Sequence, residues 1–228
     1  MAEWRLWSSW PAAAVKVRLE RARTARLNVG ASEEEMTGDQ GWHHYHSEAV
    51  IASEAEGEHR FTRARVALAN YQFSDPALVL AHFDPTEPLL GRRMLLEIHV
   101  LGLHYLCPVV VNRVREEPRV FGFRYDTLEG HIERGVEWFL LTKNDRGEIR
   151  FRVEARWRTG QLPNWWSRLG FSALAGFYQR KWHRQAHNRL SLLAHYGSTQ
   201  RPRRDRTGLT HQGVDVTFTY HSKRGWFT

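Results

Sequence analysis

The polar side chains best suited to chemistry are concentrated in one short segment, residues 121–141. Within thirteen residues it holds a phenol, a hydroxyl, an imidazole and two carboxylates, on Tyr125, Thr127, His131, Glu133 and Glu137. An imidazole beside carboxylates can exchange protons near neutral pH, and a tyrosine hydroxyl can orient a bound oxygen. Three roles are open: polar anchoring of a ligand, acid–base catalysis, or hydrogen bonds that satisfy the turn while the acids pair with neighbouring arginines.

The expected secondary structure brings these side chains together. Two strand-like runs flank a glycine-containing turn, and side chains two residues apart on a strand point to the same face. Phe123, Tyr125 and Thr127 therefore share one side of the first strand, and Glu133 and Glu137 share one side of the second. We predict that the polar groups converge on one face of a hairpin.

Other chemical motifs are weak, and the sequence predicts neither a metal nor a cofactor. His44 and His46 would lie on one face of a strand near Glu48, but a metal site needs three or four convergent ligands with supporting hydrogen bonds. The single cysteine, Cys107, lies in an apolar run and is expected to be a small buried hydrophobic residue rather than a nucleophile. The sequence contains no glycine-rich phosphate loop and no Cys-x-x-Cys pair.

The elements that must position the segment are strands and three helices. Residues 11–28 and 54–70 have helical patterns, and a long helix is predicted after Pro163, with an apolar stripe that includes Tyr178 and Trp182. Short alternating or apolar runs separated by turn signals predict antiparallel strands at 42–51, 78–83, 92–101, 103–115, 118–127, 135–144 and 148–158. The long apolar stripe needs a partner, which a curved sheet would provide.

The central segment also carries a family resemblance. Its pattern of glycine-aromatic-x-Tyr-x-Thr-Leu-x-Gly-His-x-Glu-x-Gly-x-Glu is similar to that of the proteins grouped as domain of unknown function 1990, over about residues 24–195. The resemblance implies the helix-grip fold of the lipid-transfer START domains and the birch-pollen-allergen (Bet v 1-like) superfamily. This chain departs from the family pattern at Asp126 and Val136, where many members have glycine and a second acid.

We therefore expect an α+β helix-grip fold, in which a curved antiparallel sheet of about six or seven strands grips a long C-terminal helix. The chain divides into a basic N-terminal helical extension (1–30), the helix-grip domain (31–197) and a basic C-terminal tail (198–228). Residues 214–220 alternate like a strand, so the tail either adds a strand to an exposed sheet edge or is disordered.

Charge and length narrow the class of partner. The formal charge of +8 lies at the two ends, because residues 1–27 and 197–228 each carry six basic and two acidic side chains, while 21 basic and 21 acidic residues cancel between them. The main body therefore lacks the basic excess that would grip nucleic acid. No apolar run approaches the roughly 18 residues needed to span a bilayer, and the first residues lack a leader pattern, so we expect a cytoplasmic protein without stable membrane insertion.

The favoured function is non-catalytic binding of a hydrophobic or amphipathic, lipid-like small molecule between the sheet and the long helix. An enzyme of the hydrolase or cyclase type using His131 and Glu137 is one alternative, and this rests on analogy with other proteins of the fold. Binding of an anionic surface or nucleic acid through the basic termini is a second alternative. Adjacent Trp165 and Trp166 are expected to place one ring at the rim of the cavity. The predicted ligand-binding residues are Tyr125, Thr127, His131, Glu133, Glu137, Phe123, Tyr178 and Trp182.

Overall fold

The computed structural model describes residues 3–30, 36, 41–160, 165–199 and 213–221, and within these ranges the side chains of 165–175 and 220–221 are not described. Its centre is one curved antiparallel sheet. The strands run in the order β3-β4-β5-β6-β7-β8-β2-β9, with β1 beside β5. They are β1 (Glu3–Leu6), β2 (His43–Ser53), β3 (Val79–His82), β4 (Arg93–Val100), β5 (Leu103–Glu117), β6 (Val120–Thr127), β7 (Glu133–Lys143), β8 (Glu148–Thr159) and β9 (Thr217–His221).

The sheet has nine strands in the described part of the chain, more than the six or seven predicted. All seven predicted runs form strands. Of the two further strands, β1 was not predicted, and β9 falls in the run 214–220, for which a strand at a sheet edge was one of two alternatives. β1 has only four residues, too few to show a clear alternation in sequence, and it forms because β5 offers it a pairing edge. β9 pairs with β2, which would otherwise be the outer strand on that side.

Alternation determines which face of each strand is buried. In β8, Ile149, Phe151 and Val153 are fully buried on the concave face, while arginines and a glutamate occupy the intervening positions. This is the pattern of a sheet with one apolar and one wet face. The concave faces of β2, β4, β5, β6, β7 and β8 together form one continuous core.

Two helices cover the concave face. α2 (Arg60–Ala69) buries Phe61, Ala64 and Leu68 in the core. α3 (Trp165–Tyr196) is 32 residues long and lies along β2, with Ala186 and Leu190 buried. The Ser191 hydroxyl donates a hydrogen bond of 2.6 Å to the carbonyl of Ile51, which fixes the helix to the sheet. A curved antiparallel sheet around a long C-terminal helix is the helix-grip fold, as predicted.

The third helix, α1 (Ala12–Ala22), packs on the convex face. Val15 and Ala22 contact Leu95 of β4 and Leu106 of β5, so the N-terminal segment is attached to the sheet rather than free of it. Arg18 of α1 forms an ion pair with Glu3. The N-terminal segment 3–30 thus packs on the sheet through a shared hydrophobic cluster.

α1 and α2 each have fewer residues than the sequence predicts. α1 ends at Ala22, not near residue 28, and the guanidinium of Arg93 donates hydrogen bonds to the carbonyls of Ala22 and Ala25 just beyond the end of the helix. α2 begins at Arg60, not at residue 54, because Gly57 has a positive φ of 80° that ends any helix there.

Some predictions fall outside the described residues. These are the loop before residue 41 apart from residue 36, the aromatic rim at Trp165 and Trp166, and most of the tail beyond residue 199. Cys107 is fully buried, as predicted, and burial raises the pKa of its thiol. Within the described residues, none of the helices combines the length and the hydrophobicity that crossing a bilayer requires.

Candidate functional site

The predicted polar groups meet where β6 and β7 pair. Tyr125 lies directly opposite Glu137, and its hydroxyl donates a hydrogen bond to the Glu137 carboxylate. Glu133 lies four residues before Glu137 on the same strand and therefore on the same face. Both glutamates are partly buried and lie on the concave side of the sheet, like Phe139 two residues further on. The predicted convergence therefore occurs for Tyr125, Glu133 and Glu137.

The carboxylates lie beside a floor of aromatic rings. The Phe139 ring is at its centre, with centroid distances of 5.1 Å to Phe123, 5.5 Å to Tyr125, 5.9 Å to Tyr71 and 6.3 Å to Trp182. The Trp182 indole N–H donates a hydrogen bond of 3.0 Å to the Ser74 hydroxyl, so this side chain of α3 has its polar atom satisfied inside the core. Tyr178, one helical turn earlier, packs against the same core.

The surroundings change the proton affinity of both acids. Burial raises the pKa of Glu137 to about 7, although the hydrogen bond from Tyr125 acts in the opposite direction. Burial, and then the nearby charge of Glu137, raise the pKa of Glu133 to about 8. Burial and the Glu137 charge also raise the pKa of the Tyr125 and Tyr71 hydroxyls. Near neutral pH the pair of glutamates therefore retains at least one proton and can both donate and accept hydrogen bonds.

Thr127 and His131 serve the turn itself. The Thr127 hydroxyl donates to the side-chain oxygen of Asn28 at 2.5 Å and accepts from the backbone N–H of Gly135 at 2.9 Å. Nδ1 of His131 accepts a hydrogen bond of 2.9 Å from the backbone N–H of Glu133. Burial lowers the pKa of His131 to about 3, so its imidazole is neutral. These two residues orient the start of β7. Phe123, Tyr125 and Trp182 belong to the aromatic floor, and Glu137 is hydrogen-bonded to Tyr125. Glu133 lies on the same face of β7, and Tyr178 packs against the same core.

A second polar cluster on the concave side was not predicted from sequence. The Ser47 hydroxyl on β2 lies 2.7 Å from Nδ1 of His183 and 2.9 Å from Nε2 of His187, and all three side chains are buried. Burial lowers the pKa of both histidines, that of His187 to about 3, so both imidazoles are neutral. The cluster therefore joins the sheet to the helix through hydrogen bonds between uncharged side chains. The four-residue spacing of the histidines on the buried stripe of α3 was the available sequence signal.

The histidines considered for a metal in β2 have other partners. Nε2 of His44 lies 3.0 Å from a carboxylate oxygen of Glu154 on the neighbouring strand β8. Glu48 pairs instead with Arg150, at 3.2 Å. His44 and Glu48 are therefore each held by a cross-strand contact.

One surface cleft is lined in part by Tyr71, which is one of the rings around Phe139. It has a volume of about 460 Å3, lies between β3 and the C-terminal end of α3, and includes Tyr71 and Ser74 in its lining. Arg189 and Leu193 of α3 form its opposite wall. Because Tyr71 contacts Phe139 and Ser74 contacts Trp182, the cleft adjoins the residues that line the glutamate pair.

Solved structures with a similar architecture are distant in sequence. A hypothetical protein from Helicobacter pylori is 12% identical, with a TM-score of 0.46, and the match covers 77% of this chain and 99% of that one. The structure of Ara h 8.0201 is 13% identical with a TM-score of 0.44, covering 68% and 98% of the two chains. A norcoclaurine synthase point mutant from Thalictrum, solved with a transition-state analogue, is 12% identical with a TM-score of 0.42, covering 68% and 94%.

One relative is more similar in sequence, and a family model identifies the family. A UPF0548 protein of Deinococcus radiodurans is 32% identical over 108 residues, which cover 42% of this chain and 54% of the relative. The chain thus matches about half the length of that protein. The model of the family described as Domain of unknown function (DUF1990) matches residues 26–189, a span that contains the whole β6–β7 hairpin and most of α3. This chain therefore belongs to the DUF1990 family.

Proposed function

We propose that the protein binds an amphipathic, lipid-like small molecule on the concave face of the sheet, without catalysing a reaction. Tyr125, Glu133 and Glu137 would hold its polar group. The aromatic side chains of Phe123, Tyr178 and Trp182 would contact its apolar part. A concave apolar surface with a few convergent polar groups is the usual form of a ligand site.

The observation that carries this proposal is the pair of partly buried carboxyl groups on an apolar face. Among the described residues, neither Glu133 nor Glu137 forms an ion pair, and each has a raised pKa. Placing two acids together in apolar surroundings costs stability, and such costs are typical of functional sites rather than of structural ones. A ligand that donates hydrogen bonds or carries a positive charge would offset this cost.

The same chemistry selects the head group. Carboxylates accept hydrogen bonds, so an amine or a hydroxyl head is favoured over a carboxylate head, which the ionised acids would repel. Charge-assisted hydrogen bonds to an ammonium group are the strongest of these contacts. Among single-chain amphiphiles we therefore expect the order amine, then alcohol, then acid.

Binding can be measured with three amphiphiles of equal chain length that differ only in this head group. Native mass spectrometry should show one bound molecule, and titration should give the order above at pH 8. Glu137→Gln should weaken amine binding by about tenfold, because it removes one charge-assisted hydrogen bond. Glu117→Gln, a change of an exposed carboxylate on β5, is the matched control and should leave the affinity unchanged.

Three results would contradict the proposal. One is the absence of any bound amphiphile in both native mass spectra and titrations. The second is equal affinity of the wild type and Glu137→Gln for the amine. The third is a stronger effect of the control substitution than of the one in the site.

Of the two alternative functions, an enzyme and binding of an anionic surface or nucleic acid through the basic termini, the raised pKa of Glu137 favours the enzyme. The pKa of Glu137, about 7, suits a general acid or base at neutral pH, and the Tyr125 hydroxyl is its hydrogen-bond partner. His131, the second residue of the enzyme hypothesis, has its Nδ1 engaged by backbone and is neutral, so the proton-transfer role would fall to Glu137. Turnover with an apparent pKa near 7 that Glu137→Gln abolishes would replace binding by catalysis as the function.

A further inference from the structure

A second buried carboxylate lies on the convex face of the same sheet. The side chain of Glu97 on β4 has no exposed surface. One of its oxygens, Oε1, lies 2.8 Å from Nδ1 of His104 and 3.2 Å from Nε2 of His99. The other, Oε2, lies 2.8 Å from Nε2 of His82. Three imidazoles thus surround one carboxylate.

The β4–β5 hairpin brings these groups together. Its turn is Leu101-Gly102, and both residues have positive φ values, 50° and 77°, as a two-residue hairpin of the primed type requires. This tight turn places His99 directly opposite His104, with ring centroids 4.2 Å apart. Glu97 lies two residues before His99 and therefore on the same face. The neighbouring strand β3 supplies His82.

The hydrogen bond made by one ring nitrogen of His99 leaves the other ring nitrogen available to coordinate a metal. Its Nδ1 lies 3.3 Å from the carbonyl oxygen of Ala77, and because a carbonyl only accepts, the proton must be on Nδ1. In the neutral imidazole, Nε2 then carries the lone pair. That atom is buried without a hydrogen-bond partner among the described residues, and it faces the oxygen of Glu97. A histidine that donates one N–H to a backbone carbonyl and points its other nitrogen at a carboxylate has the arrangement of a metal ligand.

The distances suit a small divalent cation. One ligand atom from each of Glu97, His99 and His104 lies within 4.8 Å of the other two. A tetrahedral Zn2+ with bonds of about 2.0–2.1 Å holds its ligand atoms about 3.3 Å apart. The separations of Glu97 Oε1 from the two histidine nitrogens, 2.8 and 3.2 Å, are close to that value, and the two nitrogens lie within 4.8 Å of each other, so the three atoms can converge on one ion after side-chain adjustment.

We propose that Glu97, His99 and His104 bind one zinc ion on the convex face, separate from the ligand site on the concave face. His82 is a positioning residue, because its hydrogen bond to Oε2 directs Oε1 towards the two other histidines. The N-terminal segment closes the site: the Trp10 backbone N–H lies 3.3 Å from Oε1, and its indole N–H donates to the carbonyl of His104 at 3.1 Å. Three protein ligands leave one zinc position for water or another small ligand.

The test is zinc binding to the full chain after removal of any affinity tag and after treatment with a chelator. The wild type should bind one Zn2+ per chain and should not bind Mg2+, which prefers oxygen ligands. His99→Ala and His104→Ala should each weaken zinc binding by more than about 100-fold, and His82→Ala by about 10–100-fold, as for a residue that positions a ligand. The matched control is His46→Ala, in β2, which should leave zinc affinity unchanged.

A purely structural hydrogen-bond network gives a different result. In that case the wild type would take up no zinc at one equivalent, or the His99 and control variants would bind it equally well, and either result overturns the proposal. Circular dichroism in the presence of chelator separates loss of ligand from loss of fold. If a histidine variant does not fold, crystals of the wild type soaked in zinc decide: an anomalous peak about 2.1 Å from these side-chain atoms supports the site, and zinc only elsewhere refutes it.

Discussion

The sheet carries a buried carboxylate site on each face, and the two have opposite electrostatics. Burial acts to raise the pKa of Glu97 on the convex face, but hydrogen bonds from His82 and His104 reverse this and leave the pKa below its ordinary value. On the concave face, burial raises the pKa of Glu137 to about 7, and Tyr125 offers only one compensating hydrogen bond. The residue type is the same at the two sites, and the carboxylate that accepts more hydrogen bonds is the one whose pKa is lowered.

The comparison separates two ways of using an acid in a core. Glu97 has a complete set of protein partners and is ionised at neutral pH, so it contributes to stability. The Glu133 and Glu137 pair has few partners among the described residues and raised pKa values, which is what the proposed ligand site requires. We therefore expect substitutions at the first site to affect stability as well as zinc binding, and those at the second to affect amphiphile binding with little effect on stability.

The largest expected effect is at Glu97. Glu97→Ala should lower the free energy of unfolding by about 3–5 kcal/mol, because it leaves buried imidazole and backbone donors without an acceptor. Denaturant unfolding at pH 8, with a chelator present so that bound metal does not contribute, measures this change.

The matched substitution on the other face is Glu137→Ala. It should change the free energy of unfolding by less than about 1 kcal/mol at pH 8, because the lost hydrogen bond from Tyr125 is balanced by removal of an ionised group from apolar surroundings. Equal losses at the two positions would contradict the distinction between a carboxylate with many protein donors and one with few.

Glu137 should also change the free energy of unfolding by about 2 kcal/mol as the pH is varied. The folded-state pKa of Glu137, about 7, is above its ordinary value of 4.5, so the folded state binds more protons between these values. Stability from this group is fully present below about pH 4.5 and is lost as the pH rises through 7. Each pKa unit corresponds to about 1.4 kcal/mol, and partial exposure reduces the total. Glu137→Gln should therefore gain stability relative to the wild type from pH 5 to pH 8.

This measurement needs a difference between variants. Burial lowers the pKa of His131, His183 and His187, and a histidine with a lowered pKa loses stability as the pH falls below about 6.5. Their slope opposes that of Glu137 in the wild type and cancels in the difference. For Glu97, whose pKa is lowered, the sign reverses: Glu97→Gln should lose its disadvantage as the pH falls below about 4.5. A flat difference curve for Glu137→Gln would show that its pKa is not raised.

Local patterns in the sequence were enough to predict most of the fold and the carboxylate site on the concave face, but not the one on the convex face. Alternating residues predicted the seven central strands, and two-residue spacing placed Tyr125 and Glu137 on a common face. The sequence could not show that β1 would use β5 as a pairing edge, because that depends on a contact about one hundred residues away.

The convex site and the Ser47 cluster were missed for the same reason. Each histidine of the convex site is ordinary in its local sequence, and only the register fixed by the turn at Leu101-Gly102 places His99 against His104. Ser47 meets His183 and His187 across more than 130 residues. The pattern of Glu97, His99 and His104 around a short turn in an apolar strand pair was a usable signal, since polar residues in such a run need partners.

The smallest expected effect tests whether each site depends on its own hairpin. Gly102 in the β4–β5 turn and Gly130 in the β6–β7 turn have φ values of +77° and +96°, where an alanine is strained by about 1 kcal/mol. Gly102→Ala also brings its new methyl group within 2.5 Å of the Trp7 ring, but that ring is exposed and can move aside. The two variants should thus lose similar stability. They should differ in function: Gly102→Ala should weaken zinc binding alone, since the turn sets the register of His99 against His104, and Gly130→Ala should weaken amphiphile binding alone. A loss of both activities in either variant would mean that the two faces of the sheet are coupled rather than independent.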